Sequence, residues 1–195
     1  MSEVIIITGA SSGIGAATAR ILAAQGASIV VNYVSSKALA EGVVDEVRAL
    51  GGKAIAVQAD MGKEADIVRL YAETDKAFGP VTGVVNNAGV NSPTHTHIAD
   101  YTFDEVMRVL GVNAAGVLIS CREAVKRMST KTGGKGGAIV NVSSIGALTG
   151  SPGRFIHYAG SKAAVDTMTM GMGVELAREG IRVNCVRPGM VDTPM

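Results

Sequence analysis

The chain has 195 residues, 47% hydrophobic and 18% charged, which is typical of one globular domain with a substantial core. Its formal net charge of +1 gives no electrostatic reason to expect nucleic acid or a membrane surface as a partner. Two cysteines, Cys121 and Cys185, are too few for a disulfide scaffold, and the sequence shows no signal-peptide pattern or membrane-length apolar run, so we expect a reduced, cytoplasmic protein.

Short β-branched runs alternate with longer amphipathic stretches along the chain. The apolar runs predict strands at 4–8, 28–33, 53–58, 81–87, 137–143 and 181–186. The stretches between them predict helices at 13–25, 36–50, 63–78, 102–129 and 158–179. Nearly continuous apolar strands are typical of parallel sheets covered on both faces. The pattern therefore predicts an α/β fold, a doubly wound parallel sheet in three layers with strand order 3-2-1-4-5-6, as a single domain over residues 1–195.

The motif TGASSGIG, residues 8 to 15, directly follows the first predicted strand and opens the first helix. Its glycines, Gly9, Gly13 and Gly15, allow a sharp turn and a close approach to a ligand. The helix that follows presents unpaired N–H groups to an anion. A tight turn that binds nothing would also use glycines, but this position favours a pyrophosphate. We expect the loop to bind a nucleotide, with contributions from its other residues, Ser11, Ser12 and Ile14.

Four more motifs follow in order: NNAG at 86–89, IVNVSS at 139–144, YAGSK at 158–162 and RPGMVDT at 187–193. With these motifs the chain resembles, over essentially its whole length, the short-chain dehydrogenase/reductase family. It is most similar in style to ketoacyl-carrier-protein reductases and glucose 1-dehydrogenase-like members. The resemblance implies a Rossmann-type fold and an NAD(P)-dependent oxidoreductase that moves a hydride between nicotinamide and a carbonyl or secondary alcohol. It also implies a homotetramer or homodimer, and a C-terminal strand and substrate lid that we expect to be missing from this span.

Tyr158 and Lys162 are four positions apart and therefore share one face of a helix. A tyrosine with a pKa of about 10 is a poor acid–base catalyst at neutral pH, and a nearby ammonium favours its phenolate. The resemblance makes Tyr158 the acid–base, and makes Lys162 the group that lowers its pKa and holds the nicotinamide ribose. It gives Ser144 a hydrogen bond to the substrate oxygen and Asn113 the support of a proton-relaying water. Ser143 competes with Ser144, and alternation along a strand puts the two on opposite faces.

The resemblance places further residues along the cofactor. Asp60 and Met61, after the third predicted strand, are expected beside the adenine. The adenosine ribose and the nicotinamide are expected to contact residues of the NNAG and RPGMVDT motifs: Asn87, Ala88, Gly89, Pro188, Gly189, Val191 and Thr193.

The end of the second strand predicts the choice of cofactor. An Asp or Glu there bonds the ribose 2′-hydroxyl in NAD users, whereas this chain has Asn32 with Tyr33 beside it. A neutral amide does not repel a 2′-phosphate, and Ser35, Ser36 and Lys37 follow as possible partners for it. The glycine loop lacks the basic residue that many NADP-dependent relatives carry. We predict NADP, with NAD as the close alternative, and a swing towards NAD in Asn32→Asp.

Several features leave alternatives open. His95 and His97 have a metal-like spacing, but no third ligand accompanies them and no metal site is predicted. Gly171 and Gly173 are unfavourable inside a helix and predict close helix–helix contact there. A non-catalytic dinucleotide sensor or scaffold, and an epimerase or dehydratase, are rival functions for the same fold. The substrate itself is not predicted.

Overall fold

The computed structural model describes residues 3–92 and 97–193, so His95 lies outside the described residues. Six strands form one parallel sheet in the order β3-β2-β1-β4-β5-β6, which confirms the predicted order. The strands are β1 Val4–Ile7, β2 Ser28–Tyr33, β3 Lys53–Gln58, β4 Gly83–Asn86, β5 Gly137–Val142 and β6 Ile181–Val186.

The helices lie on both faces of this sheet. They are α1 Gly13–Ala24, α2 Lys37–Ala49, α3 Glu64–Phe78, α4 Phe103–Leu110, α5 Gly116–Met128, α6 Gly146–Thr149 and α7 Ile156–Leu176. The single helix predicted over 102–129 is divided, because a π-helical segment, Gly111–Ala115, separates α4 from α5. The short helix α6 was not predicted from the sequence.

Each side of the sheet has its own apolar core. Ile5 and Ile7 of β1 pack with α1 and α2, while Ile6 between them packs with α3 and α5 on the other face. All three side chains are at most 6% exposed. Full burial of one such side chain stabilises the fold by about 1.5–3 kcal/mol. This two-sided burial explains why the strands read as continuous apolar runs and not as alternating ones.

The expected close packing around Gly171 and Gly173 is not found among the described residues. A Cβ atom on Gly171 would meet nothing within 4 Å, and one on Gly173 would meet only the Val183 carbonyl oxygen at 3.6 Å. The helix–helix contact predicted at these glycines is therefore not made within the described residues, and as a contact between subunits it stays a prediction. The close approach occurs instead at Gly116, where a Cβ atom would lie 2.1 Å from the Met61 carbonyl oxygen.

The connections leave the sheet in opposite directions on either side of β1. β1 lies between β2 and β4, so the chain runs to one edge from β1 to β3 and to the other from β4 to β6. The loops that follow β1 and β4 consequently diverge and leave a crevice at the carboxyl ends of the strands. Ligands of open α/β sheets bind in such a crevice.

We predict that Gly116→Ala lowers the free energy of unfolding by about 2 kcal/mol or more, because the new methyl group overlaps backbone that has no room to move. Chemical denaturation followed by circular dichroism measures this change. The matched control is Gly42→Ala in α2, where a Cβ atom would meet nothing within 4 Å. We expect this control to stabilise the protein by about 0.5–1 kcal/mol. Equal effects of the two substitutions would contradict the assignment.

Candidate active site

A cavity of about 510 Å³ occupies the crevice between the loops after β1 and β4. Its lining includes most of the residues that the sequence predicted for cofactor binding: Gly9, Ser11, Ser12, Gly13, Ile14, Tyr33, Ser35, Asp60, Met61, Asn87, Ala88, Gly89 and Thr193. Residues from five separate segments of the chain, at or after the ends of β1, β2, β3, β4 and β6, therefore come together around one space. The sequence missed Val34, Val90, Arg108 and Val112, which also line this cavity.

In the glycine loop, the backbone lies so close to neighbouring atoms that a side chain would not fit. A Cβ atom on Gly9 would lie 2.9 Å from the Cα atom of Ala88, and Gly9 has a φ of 62°. A Cβ atom on Gly15 would lie 2.7 Å from the Asn87 side-chain nitrogen, so Gly15 allows close packing without lining the cavity. At the start of α1, Ser12 makes no side-chain capping bond and the first turn has no acidic residue. The first-turn N–H groups therefore suit an anion such as a pyrophosphate.

The end of β4 is tied to the glycine loop by hydrogen bonds. The Asn87 side-chain amide donates to the carbonyl oxygens of Thr8 at 2.9 Å and Gly9 at 3.1 Å. The Thr8 hydroxyl accepts from the backbone N–H groups of Asn87 and Ala88, both at 2.9 Å. The NNAG motif therefore joins the end of β4 to the glycine loop.

The structure corrects the prediction for Asn32. Its side chain is fully buried, with its oxygen accepting from the Gly9 N–H at 3.1 Å. Its amide donates to the carbonyl oxygens of Val57 at 3.3 Å, Ala59 at 3.0 Å and Tyr33 at 3.4 Å. Asn32 therefore joins β2, β3 and the glycine loop and does not line the cavity. The positions that do line it at this end are Tyr33, Val34, Ser35 and Ser36.

Two residues that line the cavity have partners within the protein. One Asp60 carboxylate oxygen accepts from the Gly62 N–H at 2.9 Å, and the other lies 3.7 Å from the Lys63 ammonium. Asp60 nevertheless lines the cavity, as Met61 beside it does. Arg108, which was not predicted from the sequence, donates to the Asn91 carbonyl oxygen at 2.8 Å and so fixes the loop after β4. It is a basic residue in the predicted helix that also carries Asn113, and this was the sequence feature that could have identified it.

Tyr158 and Lys162 lie on the first turns of α7, which packs beside β5 and β6. The Lys162 ammonium donates to the Val142 carbonyl oxygen at 2.7 Å and lies 5.7 Å from the centroid of the Tyr158 ring. A Cβ atom on Gly89 would lie 3.5 Å from this ammonium and 3.5 Å from the side-chain oxygen of Asn113. The structure thus brings Lys162, Asn113 and Tyr158 together beside the cavity wall.

Asn113 lies in the π-helical segment and its side chain is fully buried. Its oxygen accepts from the Val90 N–H at 2.8 Å, and its amide donates to the Val90 carbonyl oxygen at 2.9 Å and to the Ser161 hydroxyl at 3.1 Å. The Asn113 side chain is therefore bonded to protein groups. It holds the loop after β4 against α7.

The two serines at the end of β5 face different partners, as strand alternation predicts. Ser143 is buried and donates to the Lys162 carbonyl oxygen at 3.1 Å. Ser144 is partly exposed, accepts from the Gly146 N–H at 3.0 Å and hydrogen-bonds the Tyr158 phenol. Ser144, not Ser143, therefore lies beside Tyr158.

The pKa values of Tyr158 and Lys162 are governed by burial. Burial raises the pKa of Tyr158, although the hydrogen bond with Ser144 acts in the opposite direction. The Lys162 ammonium lies 5.7 Å from the centroid of the Tyr158 ring and bonds a carbonyl oxygen, so a lowering of the Tyr158 pKa by Lys162 stays a prediction. Burial also lowers the pKa of Lys162 to about 8, and the charge of Asp166 acts to raise it.

The segment after β6 contributes to the cavity only at its end. The Pro188 carbonyl oxygen accepts from the Ile145 N–H at 3.0 Å, which fixes the start of the segment. Gly189 and Val191 are exposed and, like Pro188, do not line the cavity. Thr193 does line it and lies against Gly13, since a Cβ atom on Gly13 would be 3.2 Å from two Thr193 carbons.

Two negative findings apply to residues 3–92 and 97–193. In that part of the chain, His, Cys, Asp and Glu side chains form no group of three or more that could hold a metal ion. Over the same residues, no helix combines the length and the apolar character needed to cross a bilayer.

The fold and the crevice define a dinucleotide-binding type of α/β protein, and comparison with known proteins identifies the family. The model of the short chain dehydrogenase family matches residues 3–195. The chain is 45% identical over 192 residues to the uncharacterized oxidoreductase YgfF of Escherichia coli K12, covering 98% of this chain and 77% of that protein. It is 38% identical over 194 residues to a 3-oxoacyl-[acyl-carrier-protein] reductase of Synechocystis, covering 100% and 76%.

Comparison with a solved structure indicates the same family. A short chain dehydrogenase from Burkholderia cenocepacia, in complex with NADP, superimposes with a TM-score of 0.89 at 36% identity, covering 99% of this chain and 76% of that one. The chain therefore belongs to the short-chain dehydrogenase/reductase family of oxidoreductases.

We predict that Lys162→Met raises the free energy of unfolding of the ligand-free protein at pH 7 by about 1–2 kcal/mol, since it removes a buried cation and preserves volume. The difference should shrink between pH 8 and 10.5, because folded Lys162 releases its proton before unfolded Lys162 does. Denaturant titrations across this pH range measure it. Lys53→Met, at an exposed position of β3, is the control and should change little. A loss of stability in the Lys162→Met variant would contradict the prediction.

Proposed function

We propose that the protein is an NADP-preferring oxidoreductase that transfers a hydride between nicotinamide and a carbonyl or secondary alcohol, within a single catalytic domain. The observation that carries this proposal is the proximity of Tyr158 to Ser144 and Lys162, with the Lys162 ammonium beside Gly89 in the wall of a cavity suited to a dinucleotide. Family membership and the NADP complex of a similar structure support it. A non-catalytic sensor would not need an acid–base group at this wall.

In this proposal Tyr158 transfers the proton and Ser144 supplies a hydrogen bond. A reduced nicotinamide held in this cavity would supply the hydride for the carbonyl carbon. Tyr158 gives its phenol proton to the carbonyl oxygen as the C–O double bond becomes single, and Ser144 donates a hydrogen bond to that oxygen. Burial keeps Tyr158 in its protonated form, which is the form needed for reduction. In the oxidative direction the same phenol must first lose its proton, and the positive charge of an oxidised nicotinamide favours this.

Lys162 and Asn113 act on position and charge in this proposal. The Lys162 ammonium lies beside Gly89, where it can reach the ribose hydroxyls of the nicotinamide half. Asn113 fixes Val90 and Ser161, and so holds the cavity loop in register with α7. The support of a proton-relaying water by Asn113 stays a prediction.

The rim of the cavity beyond β2 supports the preference for NADP. Ser35 and Ser36 line the cavity there, and Ser36 stands at the N-terminal cap of α2 with no side-chain capping bond. Lys37 begins that helix. Two hydroxyl groups, a helix N-terminus and a cation suit a 2′-phosphate, and no carboxylate among the described lining residues of this rim would repel one.

Tyr158→Phe tests the catalytic assignment. We expect turnover to fall by about 10²–10⁴-fold, because the phenol proton is lost, while dinucleotide affinity changes little. The measurement is the absorbance of the reduced cofactor with a panel of ketones, aldehydes and secondary alcohols. Tyr101→Phe, which also removes a hydroxyl group near α7, is the matched control and should retain turnover. Normal turnover by the Tyr158→Phe variant would end the assignment. Substrate conversion without net cofactor turnover would favour an epimerase or dehydratase.

Ser35→Asp tests the source of cofactor preference. A carboxylate at this rim should repel the 2′-phosphate and shift the ratio of kcat/KM values towards NAD by about tenfold or more. Asn32→Asp is the informative comparison, because its carboxylate would face three carbonyl oxygens inside the protein. We expect it to lose stability and to weaken NAD and NADP binding alike. A wild type that prefers NAD, or a swing confined to Asn32→Asp, would show that the rim does not decide the choice.

We further propose a homotetramer or homodimer built through α5 and α7. Leu118 on α5 and Met170 and Val174 on α7 are 44%, 65% and 83% exposed, which is unusual for large apolar side chains on two helices. Sedimentation velocity should show an oligomer that Val174→Glu converts to a smaller species. Leu39→Glu, at an exposed apolar position on α2, is the control and should leave the oligomer intact. A monomeric wild type would refute the assembly.

A further inference from the structure

The face of α7 that carries Tyr158 and Lys162 continues to Asp166. The three residues recur at intervals of four along the helix and so form one stripe. Asp166 is only 7% exposed, although it is an acidic residue. Its carboxylate accepts from the Arg187 guanidinium at 2.7 Å and from the Cys185 thiol at 3.5 Å. The carboxylate of this stripe is thus bonded to residues at the end of β6.

Arg187 begins the segment that runs towards the cavity. The residues on both sides of it are fixed to the end of β5, because Val186 and Pro188 accept backbone hydrogen bonds from Ser143 at 2.8 Å and Ile145 at 3.0 Å. The Arg187 side chain adds a separate connection, from this segment to α7. At the far end of the segment, Thr193 lies against the glycine loop. Residues 187–193 therefore span the distance from α7 to the pyrophosphate end of the cavity.

The charge of Asp166 is maintained despite its burial. Burial alone would raise the pKa of this carboxyl, but Ser143, Arg187 and Cys185 beside it outweigh burial and hold the pKa below its usual value. Asp166 is consequently an anion at neutral pH. One helical turn away, its charge favours the protonated form of Lys162.

We propose that Asp166 and Arg187 form a positioning brace, which holds residues 187–193 against the nicotinamide half of the site and couples that segment to Lys162. This inference rests on the proposed function, because it assigns the brace to one half of the proposed cofactor. Neither residue is placed in contact with substrate. Both act through their neighbours, Pro188 to Thr193 on one side and Lys162 on the other.

The test compares two ligands by isothermal titration calorimetry. NADPH carries the nicotinamide ring, whereas 2′-phospho-ADP-ribose lacks it. In Arg187→Ala we expect the Kd for NADPH to rise about tenfold, since a hydrogen bond between charged groups is lost, and the Kd for 2′-phospho-ADP-ribose to stay within about twofold. Arg187→Lys, which keeps the charge, should recover part of the affinity. Arg182→Ala, which removes an exposed arginine from the same strand, is the control and should bind both ligands normally.

Asp166→Asn separates the electrostatic role from the mechanical one. It should reproduce the selective loss of NADPH affinity, and the alkaline decline of that affinity should also begin at lower pH. The sign follows from removing an anion that favours protonated Lys162. Arg187→Ala leaves Asp166 in place and should not move the decline downwards. An unmoved decline in Asp166→Asn would overturn the coupling to Lys162.

Two outcomes would overturn the brace: equal weakening of both ligands in Arg187→Ala, or no weakening of either. Failure of the wild type to bind either ligand would instead refute the proposed function. Amide hydrogen exchange of the ligand-free protein then still decides the brace. Arg187→Ala should speed exchange of the Ser143 and Ile145 amides, which donate to the Val186 and Pro188 carbonyl oxygens on either side of Arg187, and leave the amides of α1 unchanged. Unchanged exchange at Ser143 and Ile145 would refute the inference without reference to any cofactor.

Discussion

The arrangement of this site depends on one buried cation. The Lys162 ammonium is largely removed from water, and the hydrogen bond that it donates goes to the Val142 carbonyl oxygen at the end of β5. Burial of a charge is unfavourable unless other groups compensate for it, and the lowered pKa of Lys162 expresses that imbalance. Asp166 supplies the opposing charge from the same helix. The position of α7 against β5 and β6 is therefore also an electrostatic requirement, beyond its apolar contacts.

Many polar side chains near the cavity form hydrogen bonds with backbone groups. Asn32 joins three segments, Asn87 joins β4 to the glycine loop, and Asn113 pairs with both backbone groups of Val90. A buried amide left without partners would be costly, so each of these residues constrains the loops that it bonds. These amides thus hold the loops of the cavity in place. The groups that remain free to meet a ligand include backbone N–H groups and small side chains such as Ser35.

The sequence predicted the sheet well because its signals are local. Continuous apolar runs mark strands that are covered on both faces, and the helical spacing of Tyr158 and Lys162 places them on one face without further information. The role of Asn32 could not be predicted in this way, because its partners at Gly9, Val57 and Ala59 are brought to it only by the sheet order. The division of the helix over 102–129 was missed for a similar reason. It adjoins the contact of Gly116 with the Met61 carbonyl, which is far away in sequence.

The roles of these residues separate positions that tolerate substitution from positions that do not. Ser35 and Ser36 lie at the rim, and a change there alters the charge that a ligand meets without removing a bond that holds the fold. Asn32 is only a few residues away, yet a change there breaks bonds between β2, β3 and the glycine loop. Two neighbouring positions can therefore have opposite tolerance to substitution. Cofactor preference in such a site should be adjustable at exposed rim positions, because the buried amides keep the dinucleotide cavity in place while the rim changes.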